Sequence, residues 1–396
     1  MHFDILPCTH FVVIAGSHAY GTNTPESDLD VKGWAIPPTN ILLSYIHNFE
    51  QNDTKETLQK HPFRKQLESY LLTNKFTCQV DPVDSTIYNL KKFFALAADC
   101  NPNIIDLLFT KESEIIWSDY YGDEIRAAAP LFLSQRARYS FTGYAVSQLK
   151  RIHTHRRWIT NPPKKKPERE DYGLPCSSLI PPDQRQAAQA LIEKQVRLWL
   201  LEEAEVDKVI LDQIQDDLLL LIGSILDLKT REEARERVEY VVGKNYGMSE
   251  EYLSVLQREK KYKSALNEFN SYQTWLENRN PVRAQLEHKF SIDTKHASHL
   301  CRLLVEAKEI LEKGTLTLKQ PEHVEFFKAI KNGAWTFDKL LEWATENMAM
   351  LTNKDIKCAV PKTVDSKKLD QIYRDLVLSS MEEEEMWHTV QDNEEE

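Results

Sequence analysis

Glycine is scarce in this chain, with eleven in 396 residues. Cysteine is scarcer still: Cys8, Cys78, Cys100, Cys176, Cys301 and Cys358 lie far apart, with no C-x-x-C pair. That scatter excludes a zinc module or a disulfide framework and fits a reducing cytosol. Long apolar runs are absent, and the longest, Leu218 to Ile222, is far too short to span a bilayer. The N-terminus lacks the basic segment, apolar stretch and small-residue cleavage site of a signal peptide. These absences predict a soluble, unexported, cytoplasmic protein without membrane partners. A surplus of basic charge is missing too, the net charge being −11. The whole-chain balance therefore does not advertise nucleic-acid binding, although it can hide a local patch. No internal repeat is visible.

The length allows two or three domains, and 41% hydrophobic content allows a sizeable core. Phe11 to Ala15 is a short β-branched run that ends at a glycine and reads as a buried strand. Val31 to Ile36, stopped by Pro37-Pro38, reads as a second strand. Phe76 to Val80 and Val83 to Tyr88 are further strand candidates, with Pro82 as a break between them. Leu90 to Ala98 has helical periodicity. Residues 48–74 are polar and suggest an insertion or mobile loop with some helix. The first part of the chain thus alternates strands and helices, an α/β or α+β pattern.

The character changes after Pro130. Residues 130–160 are helix-like and become basic, and residues 161–182, rich in proline and lysine, suggest a loop. From Asp183 to Asn347 the pattern is nearly all helical, with spacing near 3.6 in Ala188 to Glu203 and Leu211 to Leu228. From about Met381 an acidic stretch predicts a solvated, disordered tail. The expected division is 1–125, a catalytic α+β domain; 126–182, a basic helix and connection; 183–350, a helical domain; and 351–396, a C-terminal segment with the acidic tail.

Three of the eleven glycines fall between positions 16 and 33. Gly16 follows the first strand, where it lets the backbone approach a ligand and present N–H groups to phosphate oxygens. Ser17 adds a hydroxyl donor, and a helix starting there would add a favourable dipole. About ten residues on come Asp28 and Asp30. In an extended segment their carboxylates share a face, a costly pairing unless cations sit between them. Mg²⁺ suits such a pair, and Mn²⁺ is a substitute, because a hard cation takes oxygen ligands and bridges substrate phosphates. The alternative is a turn with capping residues. The order strand, Gly-Ser, Asp-x-Asp, strand is much rarer than either pair alone. A third carboxylate is expected as ligand or general base. Asp84 is the choice, alternating with Val83 and Ser85. Asp81, before Pro82, is the second candidate, and a helix cap or loop role for Asp84 is the competing reading.

Gly16-Ser17 with Asp28-x-Asp30 resembles the DNA-polymerase-β-like nucleotidyltransferase superfamily. More narrowly, the chain resembles the RNA repair pathway DNA polymerase beta family. That match rests on Asp84-x-x-x-Tyr88-x-Leu90-x-Lys92-Phe93 leading to Asn101-Pro102-Asn103-Ile104-Ile105-Asp106-Leu107-Leu108-Phe109, on Phe141-Thr142-Gly143-Tyr144-Ala145-x-x-Gln148, and on Asp293-Thr294-Lys295-His296-Ala297-x-His299-Leu300-x-Arg302-Leu303-Leu304. It runs in patches from residue 11 to residue 345. Asp106 stands where the resemblance leads one to expect glutamate, and residues 48–74 and 183–270 match no pattern. The resemblance implies a nucleotidyltransferase-type mixed sheet with flanking helices, followed by a mostly helical domain. It also implies a role in RNA end repair.

In the last of those stretches, His296, Leu300, Leu303, Ala307 and Ile310 form an apolar stripe and predict the buried face of a helix. Lys295, His299 and Arg302 form an adjacent polar stripe that could clamp a triphosphate or an RNA phosphate. A solvated face with Arg302 paired to Glu306 is the alternative. Between residues 150 and 169 lie Lys150, Arg151, Arg156, Arg157, Lys164, Lys165, Lys166 and Arg169, interleaved with His153, His155 and Trp158. Cations mixed with flat rings suit a polyanion groove, whereas a charged surface segment is the plainer reading. The expected activity is transfer of a nucleoside monophosphate from an NTP to an acceptor hydroxyl, with an RNA 3′ end, tRNA-like or cleaved, as the favoured acceptor. Nucleotidylation of a protein or small molecule, or a non-catalytic nucleotide- or RNA-binding module, are the other readings, since the scaffold alone does not choose among them.

Overall fold

The computed structural model describes residues 5–24, 27–74, 82–199, 215, 218, 231–279, 281–353 and 357–395. The strand candidate Phe76 to Val80, the runner-up Asp81 and most of Leu211 to Leu228 lie outside the described residues.

Five strands form one mixed sheet: β1 (Thr9–Ala15), β2 (Leu29–Ala35), β3 (Gln51–Glu56), β4 (Val83–Asn89) and β5 (Ile115–Ser118), in the order β3-β4-β2-β1-β5. β2 and β4 run parallel, and the remaining pairs are antiparallel. The two strands read from the first constellation are adjacent at the centre of this sheet. β1 is buried along its whole length, as its unbroken apolar run predicts.

Residues 48–74 contain the helix expected within them and, beyond it, a strand that was not expected. They supply β3, which closes one sheet edge, and the helix Arg64–Thr73. The strand reads Gln-Asn-Asp-Thr-Lys-Glu, so no apolar alternation advertises it; as an edge strand it needs none. Leu67, Tyr70 and Leu71 of the helix pack with Val12, Ile14, Leu29, Val31, Val83 and Ile87. One sheet face is thereby sealed, and functional side chains are confined to the other.

The chain forms two compact units. One comprises residues 1–150 and 294–396, the other residues 151–293. The four consecutive segments expected from composition divide the chain differently, since residues 294–396 return to the N-terminal unit. In that unit the helix Thr294–Lys313 packs against the helices Pro321–Lys331 and Phe337–Thr352. Leu300, Leu303, Ala307 and Ile310 are fully buried, as the apolar stripe predicts, while His296 is half-buried with Nδ1 2.7 Å from Gln148 Oε1.

The acidic end of the chain also differs from expectation. It belongs to a long helix, Ser366–Glu395, that packs against the helix Leu90–Ala98, with Tyr373 edge-on to Phe94 at 5.5 Å. Glu384 accepts hydrogen bonds from Thr39 N and Oγ1 at 2.9 and 2.8 Å. A chain of Glu residues has good helix propensity, and buried Leu369 and Leu376 fix its direction. The other unit is helical, with Ile192, Val196, Ala234, Val238, Val242, Leu253 and Leu256 among its core. Cys8, Cys100, Cys176, Cys301 and Cys358 are free thiols. Among the described residues no helix is long and apolar enough to cross a membrane.

Candidate active site

Sheet register places the carboxylates. Asp30 on β2 lies opposite Ala15 on β1 and opposite Asp84 on β4. Residues directly opposite share a face, so Asp30 and Asp84 project together, with Asp28 two residues earlier on the same side. The register sets Asp30 against Asp84, although the oxygens of Asp28, Asp30 and Asp84 do not all lie within 4.8 Å of one another. Asp28 and Asp84 are exposed and Asp30 is half-buried. Burial, then the negative charge of Asp28, raises the Asp30 carboxyl above its usual range; Asp84 adds to this, while Lys32 and Lys295 oppose it. Both neighbouring acids therefore act on the Asp30 charge.

Gly16 is held by the same carboxylate. Its φ is +60°, and a Cβ there would fall 1.9 Å from Asp30 Oδ2. No side chain fits, and the left-handed backbone is one that only glycine adopts cheaply. The turn Gly16–Ala19 is a single helical turn, so the helix dipole considered from sequence is not available to this site. Ser17 is half-buried beside it, and its carbonyl accepts from Thr22 N at 2.9 Å.

His18 was not singled out from sequence. It is fully buried near Ser27 and Asp28, which favour its charged form. Burial outweighs them and lowers its pKa, favouring the neutral ring. Thr24 N donates to Ser27 Oγ at 2.9 Å and Ser27 N to Thr24 O at 3.0 Å, fixing the approach to Asp28.

The polar stripe of the helix Thr294–Lys313 is split by the fold. Lys295 is exposed and close enough to Asp30 to act on its charge. His299 is half-buried. Arg302 is 5% exposed and does not lie on an open face. Its Nη1 donates to Asp106 Oδ2 at 2.8 Å and lies 2.7 Å from both oxygens of Glu306, and the guanidinium sits 3.7 Å from the centroid of the Tyr20 ring. Tyr20 OH donates to the same Asp106 oxygen at 2.5 Å. Burial works against the charge on Arg302, but Glu306, Tyr20 and Asp106 outweigh it and keep the guanidinium protonated. Burial raises the Glu306 carboxyl. The Glu306 pairing considered from sequence is present, but in the interior rather than in solvent.

Lys32 was also missed. It follows Asp30 by two on β2, so the alternation that links Asp28 to Asp30 extends to it. It is half-buried, and burial lowers its pKa against the pull of Asp30, Asp106 and Asp84.

The basic segment is uneven. Lys150, Arg151, Lys164 and Lys166 are exposed and Arg156 is half-buried. Arg157 pairs with Glu268 at 2.6 Å, and Lys165 with Glu168 at 3.3 Å and Asp171 at 3.6 Å. Trp158 is 7% exposed, packed with Trp275 and Tyr272, and His155 stacks on it. The ring interleaved with the cations is core, not a stacking platform.

The donor set fits a divalent cation: oxygen-only ligands, two of them open to solvent, with mutual repulsion that a cation relieves.

Residues 8–164 match the model of the RlaP family, the RNA repair pathway DNA polymerase beta family. A stretch of 105 residues is 35% identical to an uncharacterized 38.9 kDa protein in the nrdC-mobD intergenic region of Enterobacteria phage T4. The match covers 26% of this chain and 26% of the phage protein, so it spans about a quarter of that relative's length. A crystal structure of a nucleotidyltransferase-like protein from Exiguobacterium sibiricum aligns over 77% of this chain and 84% of that chain, at 12% identity and a TM-score of 0.24.

Proposed function

We propose that this chain, RlaP-like over residues 8–164, transfers a nucleoside monophosphate from an NTP to an acceptor hydroxyl and releases pyrophosphate. The observation that carries the reading is the register that sets Asp30 against Asp84, with Asp28 beside them and the Gly16 turn packed on Asp30 Oδ2. Asp28, Asp30 and Asp84 would hold Mg²⁺, which would neutralise phosphate charge and acidify the acceptor hydroxyl. The turn at Gly16 and Ser17 cradles the terminal phosphates, because it brings bare backbone to Asp30 on the carboxylate face. Lys295 supplies a cation from the helix, with His299 one turn behind. The acceptor oxygen attacks the α-phosphorus, the bond from that phosphorus to the bridging oxygen of the β-phosphate breaks, and pyrophosphate leaves with the electron pair. Asp84, exposed on the neighbouring strand, takes the hydroxyl proton and returns it to solvent. Arg302 positions Tyr20 behind the turn and does not touch the nucleotide.

The acceptor in this reading is an RNA 3′ end in RNA repair. The family match and the exposed cations Lys150, Arg151, Lys164 and Lys166, with Arg156, support it. Incubation with α-labelled NTPs, Mg²⁺ and a pool of RNAs tests the acceptor. Label on RNA 3′ ends supports it. Label on protein or a small molecule, with none on RNA, replaces it with the other acceptor class.

A further inference from the structure

Three separated stretches converge behind the carboxylate face. Tyr20 comes from the glycine turn. Asp106 comes from the helix Pro102–Leu108, which Asn101 caps by accepting from Asn103 N at 3.0 Å, with Pro102 in its first turn. Arg302 comes from the helix Thr294–Lys313. Asp106 is 3% exposed; its Oδ2 takes both Tyr20 and Arg302, and its Oδ1 has no hydrogen-bond partner. An unpaired buried carboxylate oxygen is expensive.

Lys32 is near enough to Asp106 and Arg302 of this cluster, and to Asp30 and Asp84, for each to act on its charge. It lies on β2 opposite Thr86 of β4 and Val13 of β1, on the face of Asp30 and Asp84. Thr86 Oγ1 is turned to Asp53, donating at 2.8 Å. Asp30, Asp84, Asp106 and Arg302 all act on the Lys32 charge. Yet among the described residues its ammonium has no ion pair within 4.0 Å and no hydrogen bond. A half-buried cation held among acids but bonded to none of them is a donor without its acceptor.

We propose that Lys32 is a substrate contact: its ammonium takes a phosphate oxygen of the bound nucleotide beside Asp30, with Asp106 as the positioning residue that holds the cation there. This rests on reading Asp28, Asp30 and Asp84 as the metal site. When cations occupy those carboxylates, the attraction between them and Lys32 is cancelled, and the nucleotide phosphate becomes its partner. Asp106, locked by Tyr20 and Arg302, keeps a negative charge behind the lysine, so that it does not retreat from the site.

The account separates metal binding from transfer. Removing Lys32 removes a positive charge from a cation site, so metal affinity rises while transfer falls. Mn²⁺ titration of the full chain followed by electron paramagnetic resonance, alongside the labelled transfer assay, tests this with Lys32→Met, Lys32→Arg and Asp30→Asn. Lys32→Met is expected to bind Mn²⁺ about threefold more tightly or better and to lose about 10²-fold in transfer, with Lys32→Arg recovering part of it. Lys32→Met that binds Mn²⁺ more weakly in step with lost transfer, or that transfers normally, overturns the proposal. Wild-type protein that binds no Mn²⁺, or Asp30→Asn binding it as well as wild type, removes the underlying site reading and the proposal with it.

Discussion

Gly16 and Asp30 are fitted to one another: a Cβ on the first would lie 1.9 Å from Oδ2 of the second. The Gly16 turn and the Asp30 carboxylate are therefore a single packed unit. Gly16→Ala is expected to keep the fold but lower stability by about 1–3 kcal/mol, from the left-handed backbone and the forced movement of Asp30. Transfer should fall far more than stability does. Comparing thermal melting with label transfer checks this; full transfer in Gly16→Ala would separate the turn from the site.

Asp30 carries a pH prediction. Burial, then Asp28, raises its pKa, so the fold favours the neutral form. The sign follows: without metal, the stability Asp30 contributes is fully present below the ordinary carboxylate pKa and is lost as pH rises from there through the raised one. Metal binding needs the ionised form and weakens as pH falls through the same range. Asp30→Asn mimics the neutral form and should melt about 2 °C higher than wild type without metal, while abolishing transfer. A lower melting temperature would contradict the electrostatic reading.

Arg302 is predicted to be a stability residue. Arg302→Ala leaves Asp106 and Glu306 buried without their cation and should cost roughly 3–5 kcal/mol, measured by denaturant unfolding. Arg302→Lys should recover little, because one ammonium cannot reproduce the guanidinium stacked on Tyr20. Unchanged stability with lost nucleotide affinity would instead make Arg302 a phosphate clamp.

The basic segment should divide by burial. Replacing Lys164 and Lys166 together by alanine is expected to weaken RNA binding and reduce its salt slope by about one to two, with little effect on melting. Trp158→Ala should instead destabilise the protein by about 3–5 kcal/mol, since its ring is buried among Trp275 and Tyr272. RNA titrations at several salt concentrations decide between the two behaviours.

Much of the site was legible because its chemistry is local. Gly16, Ser17, Asp28 and Asp30 fall within one strand–turn–strand segment, and period-two alternation puts both aspartates on one face. The same rule applied two residues further reaches Lys32. β3 was not legible, because a solvent-exposed edge strand carries no apolar alternation; its role depends on pairing with β4. The fate of Arg302 was hidden for another reason. A helix stripe shows which residues share a face, not what covers it, and Asp106 is supplied by a distant part of the chain. Acidity alone likewise misled at the C-terminus, where buried Leu369 and Leu376 anchor a helix that composition had suggested was disordered.

The most direct test of the central claim is parallel measurement of pyrophosphate release and α-phosphate incorporation by wild type, Asp30→Asn and Asp84→Asn, with and without a chelator. The account predicts equal amounts of released pyrophosphate and incorporated nucleotide in wild type, and loss of both in the chelated sample and in each variant. Incorporation that persists in Asp30→Asn and Asp84→Asn, or release of phosphate with no incorporation, would contradict it.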